Sequence, residues 1–329
     1  MTYWLYQQII SDDSDREPQL ALQSTINWVR SLAFEIAEEH GNSARGQYES
    51  CLRLFRGNTQ GGGSSLGLQA VFEPLFSTLT NALSVVSSSL GGDTDPRPWA
   101  VPGVVVSWYY AFYTAMRSML AASGVNAPDT HSAVMRAVGA SLRTKLPHPL
   151  NMHAGWIRNE DFSKELPEYP GMGSRDLTVA FSPTRQYAQE MLLGYLSGTR
   201  RREVDKVKKR ISAKHGFTNF RTSEARTARD EAIRSESYNF MHCAFRYRGK
   251  ANYRDAIYIA YGARELLHRD EFLRSLAESA KFAFVCALAF ARVRLGKDAP
   301  GEFIADLSAN LRGASAGRDD ELFWKDLLC

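Results

Sequence analysis

Cysteine is scarce in this chain of 329 residues, which has only four. They lie far apart, and no two of them form a Cys-x-x-Cys pair. A zinc knuckle needs such closely spaced pairs, and a small disulfide-stabilised fold needs several short loops, so neither is expected. This scarcity fits a reducing compartment. The four residues are Cys51, Cys243, Cys286 and Cys329.

Long apolar segments are lacking as well. The longest run, residues 282–291, is about half of the roughly 20 residues that cross a bilayer, so it predicts a buried helix. The first fifteen residues have neither a basic start nor an unbroken apolar stretch, so no signal peptide is expected. The sequence therefore predicts a cytoplasmic protein that does not associate with membranes.

Several motifs that carry catalytic chemistry are missing. There is no G-x-x-x-x-G-K-[ST] loop, no G-x-G-x-x-G after a strand and no H-E-x-x-H, so P-loop, dinucleotide and zinc-protease sites are not expected. Residues 63–67 match G-x-S-x-G in form, but no hydrophobic strand precedes them as a nucleophile elbow requires. No metal and no cofactor are predicted.

Alternating strand patterns of convincing length are also missing, and helical spacing takes their place. The spacing predicts helices over residues 20–39, 68–90 and 104–124, with Gly41 ending the first. The predicted fold is all-α, a helical bundle with at most a minor hairpin. The third helix has one apolar face, formed by Trp108, Phe112, Ala115, Met116, Met119 and Leu120.

Glycine and proline divide the chain. Three consecutive glycines lie in residues 57–67, and four prolines lie in residues 147–173, which predicts an irregular connection there. Ser182 before Pro183 predicts a helix start, and that helix is expected to reach Gly198. Three units follow: an N-terminal helical segment (1–60), a helical domain (68–198) and a basic C-terminal helical domain (199–329).

The last of these units begins with a concentrated positive charge. Residues 200–254 hold sixteen Lys or Arg against six Asp or Glu, a net charge of +10 in a chain whose total is +4. Arginine binds phosphate through two nitrogens and stacks on bases. Aromatic residues interleave with the basic ones, a mixture typical of single-stranded nucleic-acid binding. They are Tyr238, Phe240, Phe245, Tyr247 and Tyr253.

This pattern predicts contacts with RNA or single-stranded DNA. An alternative is a solvated helix face whose charge meets an acidic protein partner, which would make the chain a non-enzymatic scaffold or adaptor. The proposed nucleic-acid contacts are Arg200, Arg201, Arg202, Lys206, Lys209, Arg210, Arg246, Arg248 and Arg254.

Residues 107–124 (SWYYAFYTAMRSMLAASG) and 130–134 (THSAV) resemble the second and third helices of HEPN domains. In that family a Tyr-Tyr-Ala-x-Phe/Tyr-x-Ala helix ends in a small residue and Gly, and a Thr/Ser-His-Ser opens the next helix. The resemblance covers about thirty residues directly, and residues 68–198 if the flanking helices complete a four-helix core. It implies an RNA-binding or RNA-cleaving module of prokaryotic toxin or antiviral defence systems, often a homodimer and often with protein partners.

The family's catalytic signature is an Arg followed, after four to six residues, by a His. The resemblance implies that the Arg stabilises charge on the phosphate and the His moves the proton of the ribose hydroxyl, with no metal. Two pairs have this spacing: Arg210 with His215, and Arg143 with His148. Both lack the Asn, Asp or His that usually follows the Arg in that family, since Thr144 and Ile211 stand there, so cleavage by a ribonuclease mechanism stays open. Four lysines near Arg210 favour the first pair: Lys206, Lys208, Lys209 and Lys214.

Overall fold

The computed structural model describes residues 17–58, 65–89, 100–126, 129–154, 177–178, 180–234, 237–251 and 269–310, with 323–324 and 327. These described residues form ten α-helices and two short strands, which confirms the all-α prediction. In chain order the elements are α1 (Glu17–His40), α2 (Ala44–Asn58), α3 (Leu68–Ser89), α4 (Val101–Ala122), α5 (His131–Ser141), β1 (His153–Ala154), α6 (Arg185–His215), α7 (Ser223–Arg234), β2 (Tyr238–Asn239), α8 (Phe240–Gly249), α9 (Arg269–Leu295) and α10 (Asp298–Asn310).

Helix α9 lies at the centre of the bundle. It packs against α1, α2, α3 and α4, and α10 folds back onto it. Residues 282–291 are all buried, which confirms the predicted buried helix. A helix that is apolar on every side has no face for water, so neighbouring helices must cover it all round.

Helices α3 and α4 pack against each other more extensively than any other pair of described helices, and both contact α9. Every residue of the predicted apolar face of α4 is buried, and Trp108 also donates a hydrogen bond from Nε1 to Oγ of Ser279 on α9 (2.8 Å). Helix α4 begins three residues earlier than predicted. Pro102 lies in its first turn, where a residue without an N–H costs no helical hydrogen bond.

Helix α6 pairs with α1 and is longer than the sequence predicts. Its N-cap is Thr184, whose side chain accepts a hydrogen bond from the backbone N–H of Tyr187 (3.3 Å), so the predicted start at Ser182 is two residues early. The predicted end at Gly198 is wrong, because the helix continues to Gly216, which has a φ of +70°. One interior glycine costs a helix only about 1 kcal/mol, which packing outweighs here.

One hydrophobic core extends through most of the described helices. Its members run from Ile26 on α1 to Leu327, so all three predicted units (1–60, 68–198 and 199–329) contribute to it. A second, small cluster lies apart, between the end of α6 and α7. Its buried residues are Val207, Ile211 and Ile233. The end of α6 and α7 therefore pack around a cluster of their own, and the division into three units stays a prediction.

The only strand pairing among the described residues is a two-residue antiparallel bridge between β1 and β2. It lies just before α8, whose N-cap is Asn239. The backbone N–H of Asn239 donates to Nδ1 of His242 (3.2 Å), so His242 completes a capping box. Burial lowers the pKa of His242 to about 4, since a charged imidazole there would lose its hydration and its acceptor nitrogen. Nearby Glu203 raises this pKa and Lys206 lowers it further.

Truncating the core beside α9 should destabilise the whole fold. Phe290 is fully buried, with its ring 5.0 Å from that of Phe55 in an edge-to-face contact. We expect Phe290→Ala to lower the free energy of unfolding by about 3–5 kcal/mol, because it opens a cavity. Phe76, which is 43% exposed, gives the matched control: Phe76→Ala should change that free energy by less than about 0.5 kcal/mol. Urea denaturation measures both, and equal losses would contradict this account of the core.

His242 should make the fold sensitive to acid. Its pKa is about 4 in the folded chain against 6.5 when unfolded, so the unfolded chain binds the proton between these values. Stability should therefore fall as the pH drops from about 6.5 to about 4, by up to roughly 3 kcal/mol from this residue.

The variant His242→Gln keeps a residue suited to the capping box but does not titrate. Urea unfolding followed from pH 7 to pH 4 should show a weaker pH dependence in the variant than in the wild type. Parallel curves for the two proteins would contradict the predicted proton uptake.

Candidate functional site

The strongest charge in the described chain lies on α6 and α7. We call residues 200–234, the second half of α6 together with α7, the basic hairpin. It has twelve Lys and Arg against five Asp and Glu, a net charge of +7 that leaves −3 for the rest of the chain. The first half of α6 packs in the body of the bundle, whereas α7 packs against α6 around the small second cluster.

Most cationic side chains of the basic hairpin face solvent. Some of them form ion pairs with acidic residues of the same helix: Lys206 pairs with Glu203 (2.7 Å), and Lys208 pairs with Asp205 (3.3 Å). These pairs lie three residues apart on one helix and hold no long-range structure together. The exposed cations are Arg201, Arg202, Lys206, Lys209, Arg210, Lys214, Arg221 and Arg226.

Four predicted contacts are not part of that exposed set. Arg200 is 4% exposed, so its side chain is withdrawn from the surface. Arg246 is partly buried, where its Nη1 donates to Oγ1 of Thr199 (3.2 Å) and its guanidinium lies 5.1 Å from the centre of the Tyr195 ring. Arg248 is also partly buried, on α8. Arg254 lies outside the described residues.

The aromatic residues that were expected to stack on bases mostly lie in the core instead. Tyr238, Phe240 and Tyr247 are all buried, and the ring of Phe240 packs against Trp108 and Phe112. On α8, Phe240 and Tyr247 are buried in the core, whereas the neighbouring Arg246 and Arg248 are only partly buried. Tyr253 lies outside the described residues.

The first predicted catalytic pair lies on one continuous helix. Residues five apart on an α-helix differ by about 140° around its axis, so Arg210 and His215 project from different faces. His215 is the last residue of α6, and its ring stacks on Phe217 at a centroid distance of 5.3 Å. This geometry does not bring the two side chains together over a single phosphate.

The second predicted pair is separated in another way. Arg143 is exposed in the turn after α5, whereas Nε2 of His148 lies 2.9 Å from Oε2 of Glu35. Glu35 is fully buried, and its Oε1 has no hydrogen-bond partner among the described residues. Nε of Arg185 lies 3.9 Å from the same carboxylate. His148 is thus oriented by Glu35.

His40 extends this cluster. Its Nε2 donates to the backbone carbonyl of His148 (2.7 Å), which leaves Nδ1 to accept from the hydroxyl of Ser50 (2.9 Å). Burial lowers the pKa of His40, which favours this neutral form. The Glu35–His148 cluster therefore links α1, α2, α6 and the turn that follows α5.

Sequence reasoning missed Glu35, although a signal for it exists. Glu35 lies three residues after Leu32 and just before Ile36, on the stripe that predicts the inward face of α1. A carboxylate on an apolar stripe predicts a buried partner. The identity of that partner is not readable, because His148 lies 113 residues away.

No family model, curated protein or solved structure matches the chain. In the described ranges, no three His, Cys, Asp or Glu side chains group closely enough to hold a metal ion. None of the helices described there is long and apolar enough to span a membrane.

Breaking the buried Glu35–His148 pair should cost far more than breaking the exposed pair beside it. We expect His148→Ala to lower the free energy of unfolding by roughly 3–5 kcal/mol, because it leaves a buried carboxylate without its imidazole. The control is Glu39→Ala, which removes the exposed ion pair with Arg185 and should cost less than about 1 kcal/mol. Chemical denaturation at neutral pH compares them, and similar costs would show that Glu35 needs no partner.

Proposed function

We propose that this chain binds RNA or another single-stranded nucleic acid through the basic hairpin. The observation that supports this proposal is the concentration of a net +7 on two helices that have their own small cluster beside the main core. Phosphate groups are what a dense, solvent-facing set of arginine and lysine side chains binds best, because each contact releases condensed counterions.

The cations on α6 are ordered along the helix. Arg202, Lys206 and Lys209 are spaced four and three residues apart, so they form one stripe on one face, about 10 Å long. Arg201 lies beside the stripe. A row of cations can follow a nucleic-acid backbone, whereas a scattered set of the same charge contacts fewer consecutive phosphates.

The choice of nucleic acid over an acidic protein rests on the resemblance to HEPN domains. The residues that resemble that family form α4 and the start of α5, and RNA is the ligand that such domains commonly bind. An acidic protein docking on the same stripe is the second candidate, since the same electrostatics would attract it. Cleavage is a separate question, because Arg210 and His215 project from different faces of α6.

Removing three of the four cations on and beside this stripe should weaken binding to RNA and flatten its salt dependence. We expect the triple variant Arg201→Gln, Arg202→Gln and Lys209→Gln to reduce the slope of log K against log salt by about 2, since each lost single-strand phosphate contact removes about 0.7. The measurement is fluorescence anisotropy of a labelled single-stranded RNA, and of the DNA of the same sequence, from about 50 to 200 mM salt.

A second triple variant gives a matched control. Arg53→Gln, Arg56→Gln and Lys297→Gln remove the same charge from exposed positions elsewhere, and they should leave the slope nearly unchanged. Equal losses in the two triples would reduce the binding to an effect of net charge. Tighter binding of poly-glutamate than of RNA would favour the protein scaffold. RNA cleavage that disappears in both Arg210→Ala and His215→Ala would add a ribonuclease activity to the binding.

A further inference from the structure

A second cationic site lies on α4, α5 and α8, away from the residues of the basic hairpin. The guanidinium of Arg248 lies over three aromatic rings, at 5.6 Å from the centre of Tyr109, 5.4 Å from Tyr110 and 5.8 Å from Phe245. Its Nη2 donates a long hydrogen bond to the hydroxyl of Tyr110 (3.4 Å). Its Nε is buried and has no hydrogen-bond partner among the described residues.

His131 completes this group, which we call the arginine–tyrosine cluster: Tyr109, Tyr110, His131, Phe245 and Arg248. The ring of His131 lies 5.5 Å from that of Tyr109 and 5.3 Å from that of Phe245. It is the first residue of α5, where the helix dipole contributes further positive potential. Tyr110, His131 and Arg248 are each partly exposed, so small solutes can reach them.

The hydrogen bonds of the cluster assign a tautomer to His131. The hydroxyl of Tyr109 lies 2.8 Å from Nδ1 of His131, and burial raises the pKa of Tyr109, so the phenol keeps its proton and donates it to Nδ1. Burial, and then the charge of Arg248, lower the pKa of His131, so the ring is neutral near pH 7. A neutral ring that accepts at Nδ1 carries its hydrogen on Nε2 and can donate it.

Among the residues that the structure describes, the cluster has donors but no anion. No carboxylate pairs with Arg248 among the described residues. Asp129, two residues before His131, is held by Arg117 in an ion pair. A partly buried cation without a counter-ion is costly, and contacts with aromatic faces recover only part of that cost. An anionic ligand would supply the missing charge.

We propose that the arginine–tyrosine cluster binds a phosphate monoester group, with Arg248 as its principal ligand and His131 as a second donor. The guanidinium fork presents two parallel N–H groups to two phosphate oxygens, and Nε2 of His131 donates to a third. A monoester carries nearly two negative charges and three terminal oxygens, which match one cation and several neutral donors. The proposal does not rest on RNA binding by the basic hairpin, because it uses none of those residues.

The test is isothermal titration calorimetry of the full chain in a phosphate-free buffer. Inorganic phosphate and adenosine 5′-monophosphate are the probes, and adenosine and sodium chloride at matched ionic strength are the controls. We expect the wild type to bind both phosphate probes and not adenosine. Tighter binding of the nucleotide would make a nucleotide the source of the group, whereas equal or tighter binding of inorganic phosphate would make free phosphate the source.

Variants locate the site. Arg248→Lys keeps the charge but loses the fork, and it should weaken binding of both probes about tenfold. His131→Gln leaves Arg248 intact and should weaken binding of both probes severalfold. It therefore tests the site even if Arg248→Lys does not fold. The matched control, Arg53→Gln at an exposed position on α2, should bind phosphate like the wild type. The proposal is overturned if the wild type gives no heat of binding, or if Arg53→Gln weakens binding as much as Arg248→Lys.

Discussion

The fold depends on the need to keep water away from α9. Ten consecutive residues of this helix, 282–291, are buried, so no side of it can face solvent. Burial of apolar surface contributes roughly 25 cal/mol for each Å², and a helix that is apolar all round gains this only if several helices enclose it. Helices α1 to α4 provide that enclosure. The positions of the remaining helices follow from which faces these four leave for contact.

Enclosing α9 also determines where polar groups are placed. Several of those that lie inside the body have partners: Trp108 donates to Ser279, Thr78 bonds to Thr114, and Glu35 is held by His148. Each such pair lowers the cost of desolvating its members, which an unpaired group would bear in full. Excess charge has no such solution inside the core. It is carried by the basic hairpin, where α6 extends beyond the bundle and needs only a three-residue cluster with α7.

Sequence reasoning succeeded where the determining interaction is local. The sequence shows apolar stripes on α1, α3 and α4 and an apolar run on α9. In the structure these apolar faces are buried against other helices. Sequence reasoning failed where contacts between residues far apart in the sequence determine the length of a helix or the burial of a side chain. Gly198 suggests a helix end, yet packing carries α6 past it. Nothing near Arg200 in the sequence indicates that it is buried, and nothing near Glu35 identifies the distant His148 as its partner. The sequence predicts that the aromatic residues around Arg246 stack on bases, because composition alone does not distinguish a helix face in the core from a face that binds a ligand.

The two cationic regions differ in the physics of their contacts. On the basic hairpin the charges face water, so salt screens each one within about 10 Å and single contacts are weak. Such a surface binds a long polyanion through the sum of many weak contacts. Arg248 lies among aromatic rings, where the effective dielectric constant is lower and one hydrogen-bonded anion interacts more strongly. A cation in that setting discriminates by geometry instead of total charge. If both regions act, the hairpin would increase the local concentration of a phosphorylated ligand, and the arginine–tyrosine cluster would select one group on it.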